Sequence, residues 1–284
     1  MLSIKSAQIL SDYLLMIKNK GKKVGFVPTM GALHEGHMSL IDQAKLENDV
    51  VVCSIFVNPK QFGEKKDLDF YPRPIAQDMD LLINHEVDVL FLPEVAEVYP
   101  ESFKEIEVDL KGLDNLLEGA QRPGHFQGVA AVLGRFFDLV NPDQVYFGQK
   151  DFQQTVVVNL LAKERFPNLK IVVVPISRES NGLARSSRNI RLTSGERSRA
   201  SFIYQCLVKL KEMCFHQELS TALEKSRLYL ESVEGAQLEY LEAVDGYSMK
   251  AVNHLNQSDY IVAVTVVKFG GVRLLDNIIL KQSR

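Results

Sequence analysis

Along the first 175 residues, apolar positions gather into short continuous runs separated by amphipathic stretches. The runs at 24–27 (VGFV), 49–57 (DVVVCSIFV), 87–92 (VDVLFL), 144–147 (QVYF) and 170–175 (KIVVVP) predict strands. Between them, 37–47, 74–85, 127–140 and 151–165 carry apolar residues at helical spacing and predict helices. Ahead of them Ile9, Leu10, Tyr13, Leu14 and Ile17 recur with the same period. Strands that are apolar throughout, rather than alternating, are covered on both faces. Their alternation with helices predicts an α/β fold, a Rossmann-like doubly wound parallel sheet.

The texture changes at 178–192, where RESNGLARSSRNIRL is polar, holds four arginines and contains an Asn-Gly turn signal. Past it, SGERSRASFIYQCLVKLKEM predicts a helix with Ser194 as its N-cap, and a second helix covers 218–232. Three β-like runs follow, AQLEYLEAVD, DYIVAVTVVKF and GVRLLDNIIL, the last two joined by a Gly-Gly hairpin signal in KFGGVRL. The expected organisation is a nucleotide-binding domain over 1–177, a loop and hinge over 178–192, and a smaller C-terminal α+β domain over 193–284.

Composition narrows the classes. With 33 basic and 36 acidic residues among 284, the net charge is −3, which lacks the basic footprint of a nucleic-acid binder. No apolar run reaches the ~20 residues that cross a bilayer, and the N-terminus has no secretory pattern, so no membrane association is expected. Cys53, Cys206 and Cys214 are odd in number and lack CxxC spacing, which fits neither a disulfide frame nor a zinc cluster. A cytoplasmic location is expected.

In open α/β sheets, ligands sit outside the carboxyl ends of the strands. The polar stretches VPTMGALHEGH, SIFVNPKQF and YFGQKDFQQ each leave such an end, and the arginine-rich segment follows the last predicted strand. HEGH is one residue short of the HExxH spacing that puts two zinc-binding imidazoles on one helical face. His34 and His37 can instead cap or pack a helix. They can also serve a phosphate site, where Gly31 and Gly36 admit a bulky anion and a helix start near 37 supplies N–H groups. GLARSSRN suits a phosphate clamp of arginine forks and hydroxyls. In FGQKDFQQ, Gly148 permits close approach of backbone, Lys150 brings a point charge and Asp151 can cap the next helix.

PTMGALHEGHMSLI, SIFVNPKQFG, DLDFYPR, RPGHFQGVAAVL, FGQKDFQQ and NGLARSSRN occur in this order over about residues 26–192. Together they resemble the pantoate–β-alanine ligase family, nucleotidyltransferases with an HxGH signature and a KMSKS-like loop. The resemblance implies that ATP and D-pantoate form pantoyl adenylate and pyrophosphate with Mg²⁺, after which β-alanine displaces AMP. It implies an ATP loop of Met30, Gly31, Ala32, Leu33, His34, Glu35, Gly36 and His37. His34 and His37 then act on the phosphates, His37 mainly by electrostatic stabilisation. Gly148, Gln149, Lys150 and Asp151 match the nucleoside segment, with Lys150 also reaching phosphate, and Ser177 stands where backbone meets adenine. Arg185, Ser186, Ser187 and Arg188 match the triphosphate loop; Gln61 and Gln154 match the pantoate glutamines, with Asn58 in support. Asp78 stands where the family has an acidic residue near the metal. A homodimer is the family's usual assembly.

Three positions depart from the family pattern: Gln149 for glutamate, Asn181 for aspartate and Arg185 for an apolar residue. Each shifts local charge in the positive direction, which predicts tighter nucleotide binding at low salt. Competing readings are another HxGH nucleotidyltransferase or acid-activating enzyme, an aminoacyl-tRNA synthetase-like enzyme, and a catalytically inactive nucleotide-binding module. The first would need a more basic acceptor pocket and the second a basic tRNA-binding module. The intact His34, His37, Lys150, Ser186, Ser187 and Arg188 speak against the third.

Overall fold

A computed structural model describes residues 1–63, 68–104 and 107–283. The chain divides into two compact units, Met1–Gly148 with Val157–Val174, and Gln149–Val156 with Pro175–Arg284.

In the first unit, β1 (Leu2–Ile4), β2 (Val24–Thr29), β3 (Val50–Ile55), β4 (Val89–Phe91), β5 (Gln144–Gly148) and β6 (Lys170–Val174) form one sheet in the order β1-β4-β3-β2-β5-β6. Every pairing in it is parallel. The five apolar runs form β2 to β6. β1 is an addition to them: it has three residues, two of them exposed, too few for any period to show in the sequence. The helices are α1 (Ala7–Asn19), α2 (Glu35–Glu47), α3 (Ile75–Asn84), α4 (Val95–Val98), α5 (Leu117–Gln121), α6 (His125–Val140) and the part of α7 (Phe152–Arg165) from Val157 on.

Alternate side chains of the central strands serve opposite faces. Val27, Val51, Cys53 and Leu90 pack with Met38 and Ile41 of α2 and Leu82 of α3. Cys53 is buried in that layer as a small hydrophobe, and burial pushes the pKa of its thiol up to about 12. On the other face Phe136 of α6 meets Phe26, Phe56 and Phe91 edge-on at centroid separations of 5.9, 5.8 and 5.8 Å.

The strand order reverses between β2 and β5. All six residues of β2 pair with β3, whereas among the described residues Gly25 and Phe26 alone pair with β5. Beyond Phe26 the two strands part, and Pro28, which has no N–H to donate, lies in that stretch. The crevice of an open α/β sheet forms where the order reverses, here beside the carboxyl end of β2.

In the second unit β7 (Ala236–Asp245), β8 (Tyr260–Phe269) and β9 (Val272–Gln282) form an antiparallel sheet. Gly270 and Gly271, at φ +56° and +72°, make the two-residue turn between the last two strands. α8 (Ser194–Arg199), α9 (Phe202–Met213) and α10 (Leu219–Ser232) complete the unit. Ile203, Leu207 and Leu210 of α9 and Leu219, Leu223 and Leu230 of α10 share a core with Leu241, Ile261, Val267 and Phe269 of the sheet. The N-cap of α8 is Thr193 rather than Ser194: Thr193 Oγ1 accepts from Glu196 N at 3.3 Å while Glu196 Oε2 accepts from Thr193 N at 2.8 Å. A hydroxyl three residues before a glutamate closes this reciprocal box, and Ser194 stands one residue too late.

A Cβ at Gly128 of α6 would lie 2.3 Å from Lys60 O and 2.8 Å from Gln61 Cα, both backbone atoms that cannot swing aside. Gly128→Ala is expected to destabilise the fold by about 1–3 kcal/mol, read as a lower urea midpoint at unchanged slope.

Candidate active site

The β2–α2 loop is built on one buried carboxylate. Gly31 and Ala32 both take left-handed backbone, φ +80° and +51°, which turns two consecutive N–H groups inward. Asp78 of α3, 0% exposed, accepts them: Oδ2 from Ala32 N at 2.9 Å and Oδ1 from Leu33 N at 2.7 Å. Burial pushes the Asp78 carboxyl up, against the pull of those two N–H groups. Thr29 Oγ1 ties the loop base to β3 by donating to Ser54 O at 2.7 Å and accepting from Gly31 N at 3.2 Å. The residue that the resemblance places near a metal thus also holds the loop, with each of its oxygens accepting one backbone N–H group.

α2 begins at Glu35, two residues before the expected start, with His34 as its N-cap. His34 Nδ1 accepts from Gly36 N at 3.0 Å, and His37 Nδ1 accepts from His34 N at 3.2 Å. His34 O accepts from His37 N at 2.7 Å. The first-turn N–H groups of Gly36 and His37 are therefore engaged by the cap itself, not left for an anion as the spacing suggests. A ring nitrogen that accepts an N–H carries no hydrogen, so each neutral imidazole bears its proton on Nε2. Capping and phosphate donation are thus compatible: the cap fixes the tautomer that makes Nε2 a donor. The two rings stand 4.1 Å apart by centroid.

Beyond β3, Asn58 and Gln61 are buried, 1% and 7% exposed. Asn58 Nδ2 donates to Gln61 Oε1 at 3.2 Å and to Gly128 O at 3.0 Å, and Asn58 Oδ1 accepts from Tyr99 Oη at 2.9 Å. His125 Nδ1 meets Gln61 O at 2.8 Å. Gln61 Nε2 is turned to Met30 Sδ, which brings the first loop and this one together. Gly148, Met30–His37, Asn58, Gln61 and Asp78 all belong to the first unit. Asp67 of the DLDFYPR motif lies outside the described residues.

The remaining candidates belong to the second unit: Gln149, Lys150, Asp151, Gln154, Ser177 and Arg185–Arg188. Lys150 Nζ pairs with Asp151 Oδ1 at 3.5 Å. Residues 178–184 form a tight hairpin closed by Arg185 N donating to Ser177 O at 3.0 Å, so that carbonyl is already engaged. Leu183 roots the hairpin in the core. Ser186 caps the short 3₁₀ turn Ser187–Arg191 by accepting from Arg188 N at 3.3 Å. Lys150, Ser186, Asn189 and Asp276 line one pocket.

The departures from the family pattern have structural uses. Asn181 Nδ2 donates to Arg197 O and Ser198 O at 3.0 and 3.4 Å, latching the hairpin to the end of α8, which a carboxylate could not do. Gln149 Nε2 donates to Asn277 Oδ1 at 2.9 Å. The Arg185 charge acts on Glu179, whose carboxyl also accepts from Arg197 Nε at 3.0 and 2.8 Å and from Asn189 Nδ2 at 3.1 Å. Tyr99, Asp276 and Asn277 carry no sequence signal for these tasks beyond, for the last two, a polar doublet inside an apolar strand run.

A family model described as pantoate-beta-alanine ligase matches residues 3–279. The chain is 43% identical over 280 residues to the pantothenate synthetase of Bacteroides fragilis, covering 99% of each. It is 43% identical over 283 residues to that of Cytophaga hutchinsonii, again with 99% of each covered. The crystal structure of the pantothenate synthetase of Thermus thermophilus superimposes with a TM-score of 0.91 at 38% identity, over 99% of this chain and 100% of that one. A pantoate-beta-alanine ligase from Francisella tularensis, complexed with beta-gamma ATP and beta-alanine, gives 0.78 at 37% identity, over 100% and 99%.

Asp78→Asn would turn an amide N–H₂ toward one of the two loop N–H groups. A displacement of ~1 Å in such a loop costs roughly 10²-fold in rate, so kcat is expected to fall by about that factor while the thermal transition stays cooperative. For Glu179, burial pushes the carboxyl up, but Arg197 and Asn189 outweigh it and hold it below the ordinary 4.5. A carboxyl held low in the folded state stabilises above its unfolded value, and that contribution disappears as pH falls through the folded one. The stability gap between wild type and Glu179→Gln, from urea melts, should therefore be widest near neutrality and close progressively below pH 4.5.

Proposed function

Given that the chain belongs to the pantoate–β-alanine ligase family, we propose how its residues share the ATP-dependent joining of D-pantoate to β-alanine. A pantoate carboxylate oxygen attacks the α-phosphorus of ATP, the bond to the bridging oxygen breaks, and pyrophosphate leaves. The β-alanine amine then attacks the acyl carbon of the adenylate, loses a proton, and expels AMP. The observation that carries the reading is the histidine pair at the start of α2, each with Nδ1 engaged by backbone.

In the first step negative charge grows on nonbridging and leaving oxygens, so rate comes from fixed donors placed in advance. His34 and His37 supply Nε2–H donors to those oxygens, and Met30–Gly36 form the loop that carries them. Lys150 adds a point charge; Ser186, Ser187 and Arg188 bind the triphosphate; Gly148, Gln149, Asp151 and Ser177 accompany the nucleoside, with Arg185 beside them. Gln61 and Gln154 hold pantoate through amide groups that match a carboxylate and hydroxyls, and Asn58 fixes Gln61 from behind. The segment 178–192 limits water access to the labile adenylate.

Mg²⁺ accompanies ATP in this chemistry and would screen phosphate charge when bound. Each Asp78 oxygen accepts one backbone N–H group and keeps a further lone pair, so the carboxylate that holds the loop could also serve the ion. Among the described residues no group of three or more His, Cys, Asp or Glu side chains is placed to hold a metal. Mg²⁺ usually keeps several waters and is held by one or two carboxylates together with substrate phosphates, which needs no such group. No described helix is long and apolar enough to cross a membrane. A cytoplasmic homodimer that takes small-molecule substrates, not nucleic acid, completes the reading; its support is the family resemblance.

The test is ATP–[³²P]pyrophosphate exchange on the full chain, with and without D-pantoate and in the absence of β-alanine. Exchange that requires pantoate is expected. Exchange driven by a different acid, or none, would return the chain to the other HxGH chemistries. His37→Asn places an amide oxygen where Nδ1 accepted, which keeps the cap and deletes the Nε2 donor. It is expected to lower kcat by at least ~10²-fold with the fold intact; an unchanged rate would remove the donor role.

A further inference from the structure

β9 carries two adjacent buried polar residues, Asp276 at 5% and Asn277 at 2% exposure. Burying such groups is costly unless they are bonded, and a strand core needs neither. Their side chains bond to segments outside the sheet. Asp276 Oδ2 and Oδ1 accept from Arg178 Nη1 and Nη2 at 2.7 and 2.8 Å. The same guanidinium donates to Gly182 O at 3.1 Å and stacks over Tyr204 at 3.7 Å. Asn277 Nδ2 donates to Gln149 O at 2.9 Å and to Lys150 O at 3.0 Å, and its Oδ1 accepts from Gln149 Nε2.

We propose that Asp276 and Asn277 are positioning residues for the adenylation step. Asp276 sets the hairpin that leads into Ser186–Arg188, and Asn277 sets the turn that carries Lys150. One rigid strand thereby fixes two phosphate-binding segments against each other. The inference rests on the reading of Lys150 and Ser186 as phosphate ligands and adds the groups that hold them in place. Two carbonyls one residue apart, one of them that of Lys150 itself, are gathered by a single amide nitrogen. This fixes the backbone of the turn as well as the root of the lysine side chain. The amide of Gln149 completes the grip: its donor meets Asn277 Oδ1, where the glutamate usual in the family would present a second acceptor. Lys150 and Ser186 line the same pocket as Asp276, so an error in either segment is felt at one place.

The experiment is a double-mutant cycle of Asn277→Ala and Lys150→Ala in the full chain, read by pantoate-dependent ATP–pyrophosphate exchange. Asn277→Ala is expected to lower kcat by roughly 10- to 100-fold, the scale of a ~1 Å misplacement, with little change in the KM for pantoate. In the Lys150→Ala background the same substitution should cost almost nothing, since a positioning residue has no effect once the group it positions is gone. An equal loss in both backgrounds, or no loss in either, overturns the proposal. If Lys150→Ala alone keeps the wild-type rate, the role of Lys150 fails, and this proposal with it. Should Asn277→Ala lose its near-UV circular dichroism, Gln149→Met removes one bond of the same grip. Its expected loss of a few-fold must also vanish in the Lys150→Ala background, and full activity of Gln149→Met overturns the proposal.

Discussion

The parting of β2 from β5 is the constraint from which the first unit's chemistry follows. β2 is held along its whole length by β3 but by β5 at Gly25 and Phe26 alone among the described residues. The chain that leaves β2 therefore enters an open crevice with backbone groups that no strand will pair. A buried N–H without an acceptor is expensive, and Asp78 answers that need from α3 with one oxygen for Ala32 and one for Leu33. The carboxyl group is buried where it serves backbone geometry. Its cost in desolvation shows as the upward push on its titration.

With the loop fixed, the two imidazoles acquire a defined chemistry. Their Nδ1 atoms close the start of α2, so the choice of tautomer is made by secondary structure. The helix end thus exchanges backbone donors for imidazole donors. In the proposed adenylation step they would be donors held in place before charge develops.

The second unit solves a similar problem by other means. Its candidate phosphate ligands, Lys150 and Ser186–Arg188, sit at short turns outside the sheet, the second of them reached through the 178–184 hairpin. Asp276 and Asn277 on β9, Leu183 in the core and Asn181 on the end of α8 tie these segments down. Two of the amides in this network, Gln149 and Asn181, stand where the family resemblance anticipates carboxylates. As charge alone, they signify a more positive site. With their partners in view, they are hydrogen-bond donors in positions where an acid could only accept. The Arg185 charge is likewise shared with Glu179.

The periodic runs were enough for β2 to β6, the longer flanking helices and the C-terminal hairpin, because burial on two faces and turn chemistry leave local marks; β1 and the short α4 and α5 left none. Thr193 for Ser194, and the earlier start of α2, show where that ends: a cap is chosen by which side chain closes the ring, and neighbours in sequence compete for it. The motifs from PTMGALHEGH to NGLARSSRN were likewise legible, since each is contiguous. What the sequence could not show is every relation between residues far apart along the chain. Asp78, expected as an acid near a metal, is the anchor of a loop 45 residues away. Asn277, expected only as part of a strand, is the clasp of a turn 127 residues away. Local pattern determines which elements form and which functional groups they carry. Where a buried polar atom finds its partner is decided only when folding brings distant segments within hydrogen-bond reach.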